Sequence, residues 1–259
     1  MQDRYAGDIG DYGKLGLLRI FEREGFSIGV NWYKTQPLAS ETYEDGSFKH
    51  QDGRHRIPVN ISDCDPELAA RLSDIFEGRH RYGRSIRALE YEALIPGAVY
   101  YSEDMSAAER DMWHKKAMLA LSGCRLVFLD PDNGMEVSSV GYHSAKISKY
   151  VLYEEAADYI RTGEQSLVIY NHRPRKKEAA YFEELRSKFQ TMTEFQDKKM
   201  WAVTFPKSSV RDYIIIAANE EHAETIERAL SVMRNSKWHE KRVCRIRQLS
   251  GGDIDLINT

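Results

Sequence analysis

Short apolar runs alternate with amphipathic stretches along this chain, and the alternation predicts its elements. Leu15, Leu17, Leu18 and Phe21 recur near helical spacing and predict a helix over Lys14–Glu24, with Gly25 as its cap. Ser27–Tyr33 is β-branched and aromatic and predicts a strand. Lys34–Asn60 is polar, carries Asp45-Gly46 and Asp52-Gly53, and is expected to be a long surface loop. Asp65-Pro66 opens the next helix, because Asp65 suits the cap and Pro66 the first position. Its apolar stripe is Leu68, Leu72, Ile75 and Phe76. Arg84–Leu94 has no clear pattern, and Ala98–Tyr101 suits a short strand. Ser106–Ser122 predicts an amphipathic helix, with Met112, Trp113, Met118, Leu119 and Leu121 among its apolar positions.

Two apolar runs show no alternation, as expected of strands buried on both faces of a parallel sheet. Arg125–Leu129 runs into Asp130-Pro131-Asp132-Asn133-Gly134. Ser166–Tyr170 runs into Asn171-His172-Arg173-Pro174-Arg175-Lys176-Lys177. Further helices are expected at Tyr150–Arg161, Glu178–Phe189 and Glu220–Arg234, and further strands at Trp201–Phe205 and Tyr213–Ala217, before a basic tail. This order predicts an α/β protein, a three-layer α/β/α arrangement with a mainly parallel central sheet, in one domain over 1–259. Right-handed crossovers then bring both polar loops to one sheet edge, where open α/β sheets bind ligands.

That placement makes the loops the candidate site. Asp130 sits at the mouth of a buried strand, and Pro131 fixes the turn after it. A carboxylate held there can activate a water, stabilise a developing cation or hold a metal. Asn171 offers a donor and an acceptor for a nucleobase edge, and His172 an acid, base or electrostatic group. Asp130, Asn171 and His172 are therefore the catalytic candidates. Asp132, Asn133, Arg173, Arg175 and Lys176 are expected to bind substrate, the cations through phosphate. The same residue types also make plain turns and solvated loops. Tyr5 to Lys14 is dense in Gly, Asp and Tyr, so Asp8, Asp11 and Lys14 are expected to line the site. It lacks the P-loop pattern, because Leu15 follows Lys14, and it precedes the first strand, unlike a dinucleotide fingerprint. His50 and His55, with Asp45 and Asp52, offer metal ligands but no recognisable ligand spacing, so no metal and no organic cofactor is expected.

Charge adds a partner. The chain of 259 residues is 42% hydrophobic and carries a formal net charge of -3, which excludes a globally basic coat. Cations nevertheless collect at Arg79–Arg87, Arg173–Lys177 and Lys237–Arg247, interleaved with aromatics such as Tyr82 and Trp238. If these clusters share a face, a slightly acidic protein presents a basic groove to nucleic acid. Cys64, Cys124 and Cys244 form no CxxC pair, and no apolar run spans a membrane, so a cytoplasmic protein is expected.

The strand-end motifs resemble those of the uracil-DNA glycosylase superfamily. Leu129-Asp130-Pro131 is similar to its catalytic Asp-Pro loop, and Val168-Ile169-Tyr170-Asn171 to the strand whose Asn reads an extruded base. His172-Arg173-Pro174 is loosely similar to its histidine loop, at a different spacing. The resemblance implies base excision from DNA by Asp130, Asn171 and His172 without a cofactor. Asp132 replaces the family's aromatic residue, which implies a modified base instead of uracil, such as a glucosylated hydroxymethylcytosine in phage DNA, and a role in anti-phage defence. Asp130-Pro131 also resembles the acidic-Pro loop of Rossmann-like nucleic-acid adenine methyltransferases, without their second Pro, their aromatic ring or their Gly-rich cofactor loop. A metal-dependent nuclease using Asp130, Asp132 and Glu136 is a third reading. YAGDIGDYGKLGLLR, VFLDPDNGME and SLVIYNHRPR resemble segments of a set of bacterial and phage proteins.

Overall fold

The computed structural model describes residues 1–45, 47–49, 53–141 and 144–250. Its strands are β1 (Ile28–Asn31), β2 (Val99–Tyr101), β3 (Leu126–Leu129), β4 (Gly134–Met135), β5 (Tyr150–Val151), β6 (Ser166–His172), β7 (Met200–Phe205), β8 (Arg211–Ile216) and β9 (Arg245–Gln248). Its helices are α1 (Ile9–Arg23), α2 (Pro66–Phe76), α3 (Ile86–Tyr91), α4 (Arg110–Ala120), α5 (Tyr153–Arg161), α6 (Glu178–Gln190), α7 (Glu220–Arg234) and α8 (Lys237–Glu240).

Seven strands form one sheet in the order β2-β1-β3-β6-β8-β7-β9. The β2-β1-β3-β6 half is parallel, and β8, β7 and β9 add antiparallel pairs. The sheet is thus mixed, a correction to the mainly parallel expectation. The loop between β7 and β8 is too short for a crossover, so it makes a hairpin. The C-terminal segment is not a tail: Arg245–Gln248 pairs with β7 as the edge strand.

Side-chain alternation sorts the buried apolar residues onto two faces. Val30, Phe128 and Val168 join α1, α2 and α7 in one cluster, while Val127, Leu129 and Ile169 join α4, α5 and α6 in the other. Asp65 caps α2 as its sequence implies, accepting from Leu68 N at 3.1 Å. In α4 the inward residues are Arg110, Trp113, His114 and Ala117, whereas Met112 and Leu119 are exposed. The helix turns a buried cation inward because Glu155 waits there. No helix among the described residues is long and apolar enough to cross a membrane.

The opposite, amino-terminal ends of β3 and β6 are tied by His222. Its Nδ1 lies 2.9 Å from Ser166 Oγ, and its Nε2 accepts from Arg125 Nε at 3.1 Å. Ser166 Oγ also accepts from Ala218 N, so the ring is neutral with its proton on Nδ1. Burial and Arg125 lower its pKa from 6.5. The unfolded histidine therefore takes a proton first as pH falls. Stability is expected to be complete above about pH 6.5 and to decline below it. Urea midpoints across that range test this; in His222→Gln the decline should flatten.

Candidate functional site

The parallel strands end together. Asn31 pairs in register with Leu129, and Leu129 with Ile169, so Asp130 and the end of β6 emerge side by side. Because β8 runs antiparallel to β6, its first residue lies opposite the last of β6: Arg211 pairs with His172. A cavity of about 480 Å³ opens at this edge. Asp130, Pro131, Asp132 and Asn133 form one wall, and Tyr170, His172 and Arg211 another. The start of α1 closes it with Asp8, Gly10, Asp11 and Lys14.

α1 begins earlier than its apolar spacing implies, because Asp8 caps it by accepting from Gly10 N at 2.7 Å and Asp11 N at 3.1 Å. Gly13 and Gly16 lie inside the helix, where a Cβ would stand 3.0 Å from Phe205 and 2.4 Å from Trp238. Those glycines let α1 approach the sheet end closely, which lowers Lys14 onto the cavity floor. Lys14 Nζ reaches Asp130 Oδ2 at 2.6 Å and Asp11 Oδ1 at 2.9 Å. Arg211 bonds Tyr170 and the carbonyls of Lys207 and Ser209.

Three carboxyls, Asp8, Asp11 and Asp130, thus lie among three cations, Lys14, Arg211 and the Met1 ammonium. Burial raises the Asp130 pKa, which Lys14 and the Met1 ammonium only partly offset. Burial and then Asp11 raise that of Asp8, against Arg211 and Lys14. Burial alone would lower the Lys14 pKa, but Asp11 and Asp130 outweigh it and keep the ammonium charged. Burial is the dominant cause at both Asp8 and Asp130, and the Arg84 guanidinium adds a further cation near Asp8 and Asp11. Asp130 is only 2% exposed; its Oδ2 is taken by Lys14, and its Oδ1 has no hydrogen-bond partner among the described residues.

Asp132 differs. Burial pushes its pKa up, but the Met1 ammonium at 3.1 Å and Lys149 at 3.3 Å outweigh that and lower it. It serves as a fixed anion that pins the loop. Asn133 continues the loop, donating from N to the Lys149 carbonyl and accepting from His172 N, both at 3.0 Å. Arg110 holds the Lys149 segment from behind. Its guanidinium forks onto Glu155 and donates to the carbonyls of Ile147 (2.8 Å) and Tyr150 (2.6 Å).

Asn171, expected to read a base, is turned away from the cavity. Its Oδ1 accepts from Met135 N at 2.8 Å, and its Nδ2 donates to Tyr181 OH. It fixes the turn after Asp130 to the end of β6. A Cβ on Gly134, whose φ is +117°, would lie 1.9 Å from Asn171 Oδ1. Gly134→Ala is therefore expected to cost about 1–3 kcal/mol from backbone strain, with loss of site function. Thermal unfolding and activity measured on one preparation check this; an unchanged midpoint refutes it.

Arg173 is also withdrawn. It pairs with Asp212 and Glu178 and donates to Thr204 Oγ1 at 2.9 Å. Lys176 pairs with Glu184 on the surface, and Arg175 is exposed outside the cavity lining. Asp8, Lys14, Asp130, Asp132, Asn133 and His172 come together; Asn171, Arg173, Arg175 and Lys176 do not. The three basic clusters do not merge into one groove either. Arg173, Arg245 and Arg247 converge on Glu178, Lys237 and Lys241 on Asp63, and Arg79 pairs with Asp74.

The proposed nuclease set does not assemble: Glu136 accepts from Tyr153 N at 2.8 Å, and Asp132 is held by its cations. Among the described residues no three His, Cys, Asp or Glu side chains converge as metal ligands. His50 and Asp52 lie outside the described residues; His55 lines the cavity. Comparison with protein-family models and with curated proteins returns no match. Arg211 and Tyr170 were not legible as site residues. Arg211 follows a Pro206-Lys-Ser-Ser-Val loop, a signal that matters only once β8 is known to run antiparallel.

Proposed function

We propose that this cavity hydrolyses an N-glycosidic bond, releasing a modified base from DNA. The observation that carries the reading is Asp130: a buried carboxyl with raised pKa and an unpartnered oxygen, opening on a nucleotide-sized cavity beside His172. In this reading Asp130 takes a proton from water as the water oxygen bonds to the sugar C1′. The C1′–N bond breaks, and its electron pair leaves with the base. Arg211 and His172 face the negative charge that develops there. Tyr170 offers a ring for the extruded base to lie against, and Asn133 takes over the edge-reading role from Asn171.

The volume also favours a large base. About 480 Å³ is roomier than a bare pyrimidine needs, and carboxylates on the α1 side suit the hydroxyls of a sugar-decorated base. Excision from such phage DNA would serve anti-phage defence, in keeping with the phage-protein resemblance of the motifs.

The test is incubation with DNA containing glucosylated hydroxymethylcytosine. Free base by mass spectrometry and alkali-labile abasic sites are expected. Intact DNA with methyl transfer from S-adenosylmethionine would favour the methyltransferase reading. Strand scission abolished by chelator would favour a nuclease.

A further inference from the structure

Part of the Arg79–Arg87 cluster keeps its charge. Arg81 and Arg87 are exposed and have no acidic partner among the described residues, unlike the cations gathered on Glu178 and Asp63. Both lie on tyrosine rings instead. The Arg81 guanidinium sits 3.8 Å from the Tyr91 ring centre and 4.6 Å from that of Tyr82, and Arg87 sits 4.1 Å from Tyr82. Tyr82 and Tyr91 meet edge to face at 5.3 Å, and Tyr91 is 52% exposed. An exposed guanidinium–tyrosine stack with no counter-charge lacks an anion and offers flat surfaces.

The segment bearing this stack is tied to the chain that lines the cavity. Arg84, in the same segment, donates to the carbonyls of Ala6 (2.7 Å) and Gly53. Gly53 and Tyr5, the neighbour of Ala6, both line the cavity. Arg84 thereby fastens the segment to the cavity mouth.

We propose that the face formed by Arg81, Tyr82, Arg87 and Tyr91 binds the single-stranded segment flanking the nucleotide in the cavity. The guanidiniums take phosphates and the tyrosines stack on bases. This rests on the base-release reading and adds the strand to it. Such stacking tolerates any sequence, so the face supplies affinity and the cavity selects the base.

The test is fluorescence anisotropy with a labelled, mixed-sequence single strand. Tyr91→Ala and the pair Arg81→Ala/Arg87→Ala are each expected to weaken binding about tenfold or more. The paired variant should also flatten the dependence of affinity on salt. Tyr91→Phe should bind like the wild type, because it keeps the ring. In base release, the variants should raise KM and leave kcat unchanged. If they bind the strand as the wild type does while the wild type releases base, the face is refuted and the cavity reading stands. If they lose binding but no DNA yields free base, the face stands and the cavity reading fails. A wild type that ignores the strand, or prefers polyglutamate to it, overturns the proposal.

Discussion

Asp130→Asn is expected to lower base release by about 10²–10⁴-fold while the fold persists. The substitution keeps shape and leaves an acceptor for Lys14, but removes the group that takes the water proton. Stability should hold for a specific reason. Burial opposes the Asp130 charge more than its cations support it, so an uncharged side chain there removes a desolvation cost. Lys14 retains Asp11 at 2.9 Å. The sign of the pKa shift agrees: Asp130 is raised by burial, so its ionised form costs stability as pH rises above 3.8. Asn cannot ionise, so its thermal midpoint at neutral pH should match or exceed the wild type. Retained base release would remove Asp130 from the chemistry. A collapsed midpoint would show that its charge is structural.

Arg110→Ala is expected to cost about 3–5 kcal/mol, because it leaves a buried acid uncompensated. Glu155 is 5% exposed and takes both branches of the guanidinium fork. The carbonyls of Ile147 and Tyr150 would lose their donor as well. Arg110→Lys should recover only part, since an ammonium cannot supply the planar fork. The functional effect follows from the same contacts. Arg110 holds the segment bearing Lys149, Lys149 holds Asp132, and Asp132 sits two residues from Asp130. Urea denaturation measures the stability loss, and a loss below about 1 kcal/mol would mean that the site loop is held by other contacts.

Local signals were largely legible. Asp65-Pro66 opens α2 as read, and the uninterrupted runs before Asp130 and Asn171 are adjacent buried strands. Both follow from near-neighbour physics: a cap bonds three residues on, and a strand buried on both faces has no polar positions. Gly13, just before Lys14, was legible as a point of close approach but not as part of a helix. What it approaches, Phe205, lies far along the chain.

The sequence by itself determined which strands are buried, where their polar loops begin, and that Asp130 stands at a strand mouth. Tertiary structure alone decided which polar residues of those loops face the cavity. Asn171 and His172 are neighbours in sequence, yet strand alternation points one at Met135 N and Tyr181 and leaves the other on the cavity. It also decided the direction of β8. A parallel strand would have carried Arg211 to the far edge, whereas antiparallel pairing sets it opposite His172. Charge behaves in the same way. Three basic clusters look alike along the chain, but folding brings Glu178 and Asp63 to two of them and leaves Arg81 and Arg87 on tyrosines. Burial and pairing depend on contacts between distant residues, so the fold, and not local pattern, determines which charges remain available.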